Sequence, residues 1–228
     1  MTIEFQNFTL RNCAEAEGVV VVIDVLRAFT TAAVAFERGA KEIVLVATVD
    51  EAFEIRHHHP DILLLGEVDG RPIPGFDLPN SPSTLAGMDL REKRLVQRTT
   101  AGAQGAVLAA RASPLLVAGL SVAAATAAYL QILNPHRVSF VATGVRPGGG
   151  GEEDSVCAEY IASLIRGCPL AKSEVCQRVR GSGAAKKFIM SEGADFPAAD
   201  VESALQIDRS NFVMQVERRN AQLVLSAT

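Results

Sequence analysis

An α/β fold with a mostly parallel sheet is predicted for this 228-residue chain by three observations. Short apolar runs alternate with Ala-rich helical patterns, the order that lays helices on the faces of a parallel sheet. Val19 to Ile23 are five consecutive β-branched residues, as expected of a strand buried on both faces. Hydrophobic residues make up 48% of the chain and charged ones only 21%, which supports a dense, ordered core.

Taken in order, residues 2–10 alternate loosely and fit an edge strand. The strand at 18–25 leads into a helix from about Ala28 to Arg38, stopped by Gly39. Residues 42–47 form a second strand, and 50–57 a helix with Asp50 as candidate N-cap. A third strand, 61–65, ends in Gly66-Glu67. The Pro- and Gly-rich stretch 68–82 is too irregular for regular structure, and loops of that length in compact domains are usually functional or disordered. Its end places Ser81 to cap a short helix with Pro82 at the first position. The alternation resumes with a strand at 94–98, a helix to about Arg111, a strand at 115–118, a helix at 122–133 and a strand at 137–143. A loop over 144–151 precedes a helix that opens with Glu152-Glu153-Asp154, acids its macrodipole favours, and runs to about Arg166. Short helices follow near 172–180, 183–191 and 198–206. Residues 212–216 and 222–225 read as a hairpin around Arg219-Asn220. The expectation is one compact domain over 1–228, or two intimately packed halves of about 1–112 and 113–228.

Several functions are excluded by composition. With 22 basic against 26 acidic residues, the net charge of −4 leaves no electrostatic footprint for nucleic acid. Pro114 to Leu133 carries no charge over twenty residues, the length of a membrane span. It breaks at Gly119-Leu-Ser121 and continues in small side chains, so a strand, a turn and a core helix explain it better. Four cysteines lie far apart with no C-x-x-C pair, which argues against a zinc site or disulfide framework and for reduced thiols in the cytoplasm. The first residues have neither a basic nor an apolar leader region, so no signal peptide is expected. Oligomeric state is left open, because Ala-rich helices can pack internally or against a second copy.

Chemistry collects where the strands end. Asp24 and Arg27 follow the first buried strand, Glu67 the third, Arg98-Thr99-Thr100 the next, and Thr143 to Arg146 a later one, with Asp154 at the following helix start. In open α/β sheets ligands bind outside the carboxyl ends of strands, so one shared edge would gather these groups. Asp24, Glu67, Glu153 and Asp154 are hard oxygen donors that suit Mg²⁺. Arg27, Arg98 and Arg146, with the hydroxyls of Thr30, Thr31, Ser81, Thr99 and Thr100, suit a phosphate. Together they point to metal-assisted phosphoryl chemistry on a small anionic substrate. Blander readings stand beside these. Asp24 can simply cap the next helix, Thr30 and Thr31 can be first-turn residues, and Glu152 and Glu153 can be dipole-complementing surface acids. Consecutive histidines at 57–59 cannot all face one ion, so they read as surface residues. Gly181 to Lys186 lacks both a preceding strand and Walker spacing and is discounted as a phosphate loop. Cys157, one turn into its helix with no histidine motif, reads as buried rather than nucleophilic.

Five ordered motifs then carry a resemblance. Val-Ile-Asp24-Val-Leu-Arg27-Ala-Phe-Thr-Thr31, Gly66-Glu67, Gly75-Phe-Asp77-Leu-Pro-Asn80-Ser81-Pro82, Arg98-Thr-Thr-Ala-Gly102 and Glu153-Asp154-Ser-Val-Cys157-Ala resemble the 2-phosphosulfolactate phosphatase family, from about residue 18 to the Asp208 region. The resemblance implies a three-layer α/β/α domain with a mixed sheet. It implies an Mg²⁺-dependent hydrolysis of 2-phospho-3-sulfolactate to 3-sulfolactate, a step towards coenzyme M. It implies Asp24, Arg27 and Arg98 as catalytic residues and brings Asn80 into the substrate-binding set. Three positions depart from the family pattern: Pro79 stands for a glycine, and Ala101 and Ala103 replace an amide and a hydroxyl in the Thr-Thr-Asn-Gly-Thr motif. Another phosphorylated hydroxy acid, or anion binding without catalysis, is the alternative. Asp24 can hold the metal or itself accept the phosphoryl group.

Overall fold

A computed structural model describes residues 3–145, 150–191 and 193–228. Its elements run β1 (Glu4–Thr9), β2 (Val19–Ile23), α1 (Ala28–Glu37), β3 (Glu42–Val46), α2 (Val49–His58) and β4 (Leu63–Val68). Then come β5 (Arg71–Pro72), β6 (Leu78–Pro79), α3 (Pro82–Leu85), β7 (Arg94–Arg98), α4 (Gly102–Leu108), β8 (Leu115–Ala118), α5 (Ala123–Leu133) and β9 (Arg137–Ala142). The chain closes with α6 (Glu152–Ile165), α7 (Lys172–Arg180), α8 (Gly183–Met190), α9 (Ala199–Ala204), β10 (Met214–Arg219) and β11 (Gln222–Ala227).

The strands form one mixed, mostly parallel sheet inside a three-layer α/β/α arrangement, in the order β1-β9-β2-β8-β10-β11-β3-β7-β4-β5, with β6 against β4. Val19 to Ile23 are all buried, as their β-branched run requires. One parallel group, β1-β9-β2-β8, is joined to another, β3-β7-β4, by the C-terminal hairpin, whose strands pair antiparallel to each other, to β8 and to β3. The expectation of one shared carboxyl edge is therefore corrected. Three antiparallel steps in succession reverse the direction of β3, β7 and β4 relative to β2. The turns after β2, β9 and β7 and the end of β4 nonetheless border one cleft, although six inter-strand steps separate β2 from β4. Gln97, at the end of β7, donates from Nε2 to the carbonyl of Ala28, at the start of α1, over 2.9 Å.

Local boundaries shift for identifiable reasons. Helix α2 is capped by Thr48, not Asp50: the Thr48 hydroxyl accepts from Glu51 N, and the Glu51 carboxylate reaches back to Thr48 N, a capping box. The stretch after β4 is not wholly irregular, since β5 and β6 pair with β4 inside it. Glu67 lies within β4 rather than beyond it. Pro114 to Leu133 forms the expected strand, turn and helix, and among the described residues no helix is long and apolar enough to cross a membrane.

Candidate active site

The turn after β2 is built by its own side chains. Asp24 Oδ1 accepts from Ala28 N at 3.0 Å, so the capping reading holds for one oxygen. The hydroxyls of Thr30 and Thr31 donate back to the carbonyls of Val25 and Arg27, at 2.7 and 3.0 Å, and tighten the turn. The other oxygen of Asp24 lies against the start of α4. A Cβ placed on Gly102 would come within 2.8 Å of Asp24 Oδ2 and 2.6 Å of the Ala28 side chain, so only glycine fits there.

Asp154 comes from α6, whose N-cap Gly151 adopts a left-handed φ of +76°. Its Oδ1 accepts from Val25 N and its Oδ2 from Gly144 N, both at 2.8 Å, tying α6 to the turns after β2 and β9. Glu67 Oε1 accepts from Thr100 N at 2.5 Å, and Oε2 accepts from Gly70 N at 2.5 Å and from the Thr100 hydroxyl at 3.0 Å. Glu153 is only 3% exposed, and its Oε2 has no hydrogen-bond partner among the described residues. An enclosed oxygen without a donor is costly unless a ligand or cation reaches it.

These carboxylates share one cleft of about 420 Å³, lined by Asp24, Glu67, Glu153 and Asp154 together with Asn80 and Thr100. Crowding of like charge shows in their titration. Burial is the main cause that raises Asp24 to about 6 and Glu153 to about 7, with the charges of Glu67 and Asp24, respectively, adding to it. Burial, then Asp24 and Glu153, push Asp154 well above the usual carboxylate range. Burial likewise raises the Cys157 thiol, which fits a packed side chain rather than a nucleophile.

The other expected residues divide. Arg27 borders the cleft, but its guanidinium is committed to protein partners: Nη1 donates to Asp195 O at 2.9 Å and Asp200 Oδ2 at 3.0 Å, and Nη2 to Gly70 O at 2.8 Å. The rings of Phe188 and Phe196 sit 5.0 and 5.6 Å from it. Arg98 stands behind the cleft and donates to the Glu67 carbonyl at 2.7 Å. Thr99 accepts from Ala103 N, within α4. Ser81 donates to Asp200 Oδ1 at 2.7 Å and lines a small adjoining cavity. Arg146 lies outside the described residues, as do Gly148 and Gly149 of the preceding loop.

Sequence reasoning missed two parts of the site. Asp200 is fully buried and receives Arg27, Ser81 and Ser83, and nothing around it in sequence marks it as such a hub. The start of α8 also reaches the cleft through Gly183, Ala184 and Lys187, although the Gly181–Lys186 stretch has no phosphate-loop spacing. The available signal was Ser182 as N-cap of a basic helix; its hydroxyl accepts from Ala185 N.

The donor set can be tested against a divalent cation. Among the described residues no group of three or more acidic, His or Cys side chains forms a ready-made cage. Mg²⁺ does not need one, since it binds through one or two carboxylates plus water and substrate oxygens. Asp24, which lines the cleft, and Glu153, whose Oε2 has no partner among the described residues, fit that pattern, and the mutual repulsion of the acids is what a cation would relieve.

The carboxylate-walled cleft on an α/β scaffold is accompanied by a match to a family of phosphoric monoester hydrolases. The model of the 2-phosphosulpholactate phosphatase family matches residues 7–219. A probable 2-phosphosulfolactate phosphatase of Bacillus subtilis is 40% identical over 201 residues, covering 87% of this chain and 86% of that protein. Proteins of the same name from Deinococcus radiodurans and Thermus thermophilus are 40% and 35% identical over 151 residues, each match covering 64% of this chain and 62% of the relative. The chain belongs to the 2-phosphosulfolactate phosphatase family.

Proposed function

We propose that this protein is a cytoplasmic, Mg²⁺-dependent phosphatase that hydrolyses 2-phospho-3-sulfolactate to 3-sulfolactate and phosphate, a reaction of the coenzyme M type. The observation that carries the reading is the buried pair Asp24 and Glu153, each offering an oxygen to a cleft crowded with acids. A phosphorylated anion could not enter so negative a space without a cation between them. Mg²⁺ held by Asp24 and Glu153, with Asp154 and Glu67 behind them, would neutralise phosphoryl oxygens and favour attack at phosphorus.

The chain's own residues do the rest. Glu67 fixes Thr100 and the Gly70 turn, so both sides of the cleft mouth keep their positions. Asp154 ties the turns after β2 and β9 together and holds Asp24 in register with α6. Asn80 and Thr100 offer an amide and a hydroxyl for orienting substrate. Phe188 and Phe196 form an apolar wall that limits water around the reacting group.

The test is phosphate release from phosphosulfolactate, phospholactate and phosphoglycolate, with EDTA and with Mg²⁺ restored. The reading expects release from phosphosulfolactate first, abolished by EDTA and recovered with Mg²⁺. Equal rates on all three substrates would favour a general phosphatase of hydroxy acids. A single turnover in ¹⁸O-water separates direct attack by water from a phosphorylated Asp24.

A further inference from the structure

The cleft is lopsided in charge. Asp24, Glu67, Asp69, Glu153 and Asp154 line it, whereas Arg27 is neutralised by Asp200. Among the described lining residues this leaves Lys187 as the one cation without a carboxylate partner. Its ammonium sits 3.9 Å from the ring centroid of Phe196, which packs edge-on against Phe188 at 5.3 Å. Lys187 lies on α8, whose first turn also borders the cleft. Ser182 occupies Ala185 N with its hydroxyl and Lys186 N with its carbonyl, so the amides of Gly183 and Ala184 have no partner within the helix. A second, separate sign of a ligand is Asn80. It is 4% exposed and lines the same cleft, and among the described residues its carboxamide makes no hydrogen bond, which leaves its Nδ2 group free to donate to a ligand there.

We propose that Lys187 and the Gly183 and Ala184 amides, with the carboxamide of Asn80, form a subsite for the sulfonate of the substrate. The phosphoryl group is left to the acidic side of the cleft. This rests on the phosphosulfolactate reading above and adds to it the residues that recognise the part of the substrate that is not transferred. A sulfonate is a very weak base and a poor ligand for Mg²⁺, so it gains little among metal-binding carboxylates. Three oxygens spread over one negative charge match an ammonium and the free N–H groups of a helix start, where sulfate and phosphate are commonly held.

The test measures binding of 3-sulfolactate and of lactate, which lacks only the sulfonate, by calorimetry. Native protein is compared with Lys187→Met, Lys187→Arg and Gly183→Pro. The proline removes one amide without changing charge. Gly183 has open space where a Cβ would lie, and Ser182 before it is already extended at φ −65°, ψ 155°, as a residue preceding proline must be. Native protein should prefer sulfolactate over lactate. Lys187→Met and Gly183→Pro should each cut that preference by about tenfold or more, the weight of one charge-assisted hydrogen bond, and Lys187→Arg should keep most of it. Equal affinity for the two acids in native protein, or a preference unchanged by both variants, overturns the subsite. Phosphate release from phosphosulfolactate is measured alongside. A Lys187- and Gly183-dependent preference without any phosphate release upholds the subsite and overturns the phosphatase reading instead.

Discussion

Glu153→Gln should make the metal-free protein more stable at neutral and alkaline pH, and increasingly so as pH rises. Glu153 moves from its ordinary 4.5 to about 7 because it is buried, with the charge of Asp24 against it. A carboxyl raised in the folded state contributes stability that is fully present below its unfolded value and lost as pH climbs through its folded one. The loss therefore runs from about pH 4.5 to about pH 7. At about 1.36 kcal/mol per pH unit, a rise of about 2.5 units amounts to about 3 kcal/mol by pH 8. Glutamine has no charge to lose, and its amide, set where Oε2 lacks a partner, gives back about 1 kcal/mol. The variant should thus exceed the native protein by about 2 kcal/mol at pH 8, about 4–8 °C in Tm for a chain of this size, and fall about 1 kcal/mol below it near pH 4. Thermal unfolding in EDTA from pH 4 to pH 8.5 reads this directly. Saturating Mg²⁺ should reverse the ranking, because only native Glu153 offers a charged oxygen to the ion. Unfolding curves that run parallel across the pH range would refute the reasoning, since they would mean that Glu153 does not titrate against its surroundings.

Three further outcomes are expected. Gly102→Ala should destabilise the protein by about 1–3 kcal/mol and lower phosphate release, because its Cβ drives into Asp24 and Ala28; urea unfolding and steady-state assays check both. Asp200→Ala should cost about 3–5 kcal/mol in urea unfolding, since it strands the buried Arg27 guanidinium and frees Ser81 and Ser83. The apparent affinity for Mg²⁺ should strengthen as pH rises through about 6 to 7 and level off above, because the ion competes with protons on Asp24 and Glu153; titration calorimetry at several pH values reads it.

The strands were legible because a β-branched run such as Val19 to Ile23 has few alternatives to a doubly buried strand. The acids were legible because a carboxylate at the end of such a strand demands a partner, and the structure does gather Asp24, Glu67, Glu153 and Asp154 at one cleft. Other features depended on information that local pattern does not carry. The terminal hairpin could be read as a hairpin, but nothing in its residues says that it docks between β8 and β3 and reverses half the sheet. Thr30, Thr31 and Thr99 look like anion donors in sequence, yet each finds a backbone partner four or five residues away. The cap of α2 is legible in Thr48-Val-Asp-Glu51, where a hydroxyl and an acid three residues on make a capping box that outcompetes Asp50.

Arg27 shows how one short turn sets both sides of the cleft. Three residues after Asp24, it holds Gly70 from the loop after β4, Asp195 from the turn between α8 and α9 and Asp200 from α9, and it lies near both aromatic rings of the cleft wall. Its charge is answered by Asp200, a fully buried partner, so the pair brings no net positive charge to an incoming phosphate. Arginine suits the task because its planar fork reaches several acceptors at once in a low-dielectric setting, where lysine would satisfy fewer. The residue that the sequence offered as a phosphate contact is thereby an anchor that ties the α8–α9 segment to the turn carrying Asp24. What attracts the phosphate must then come from elsewhere, and in the function proposed here that is the cation held by the acids Arg27 helps to align.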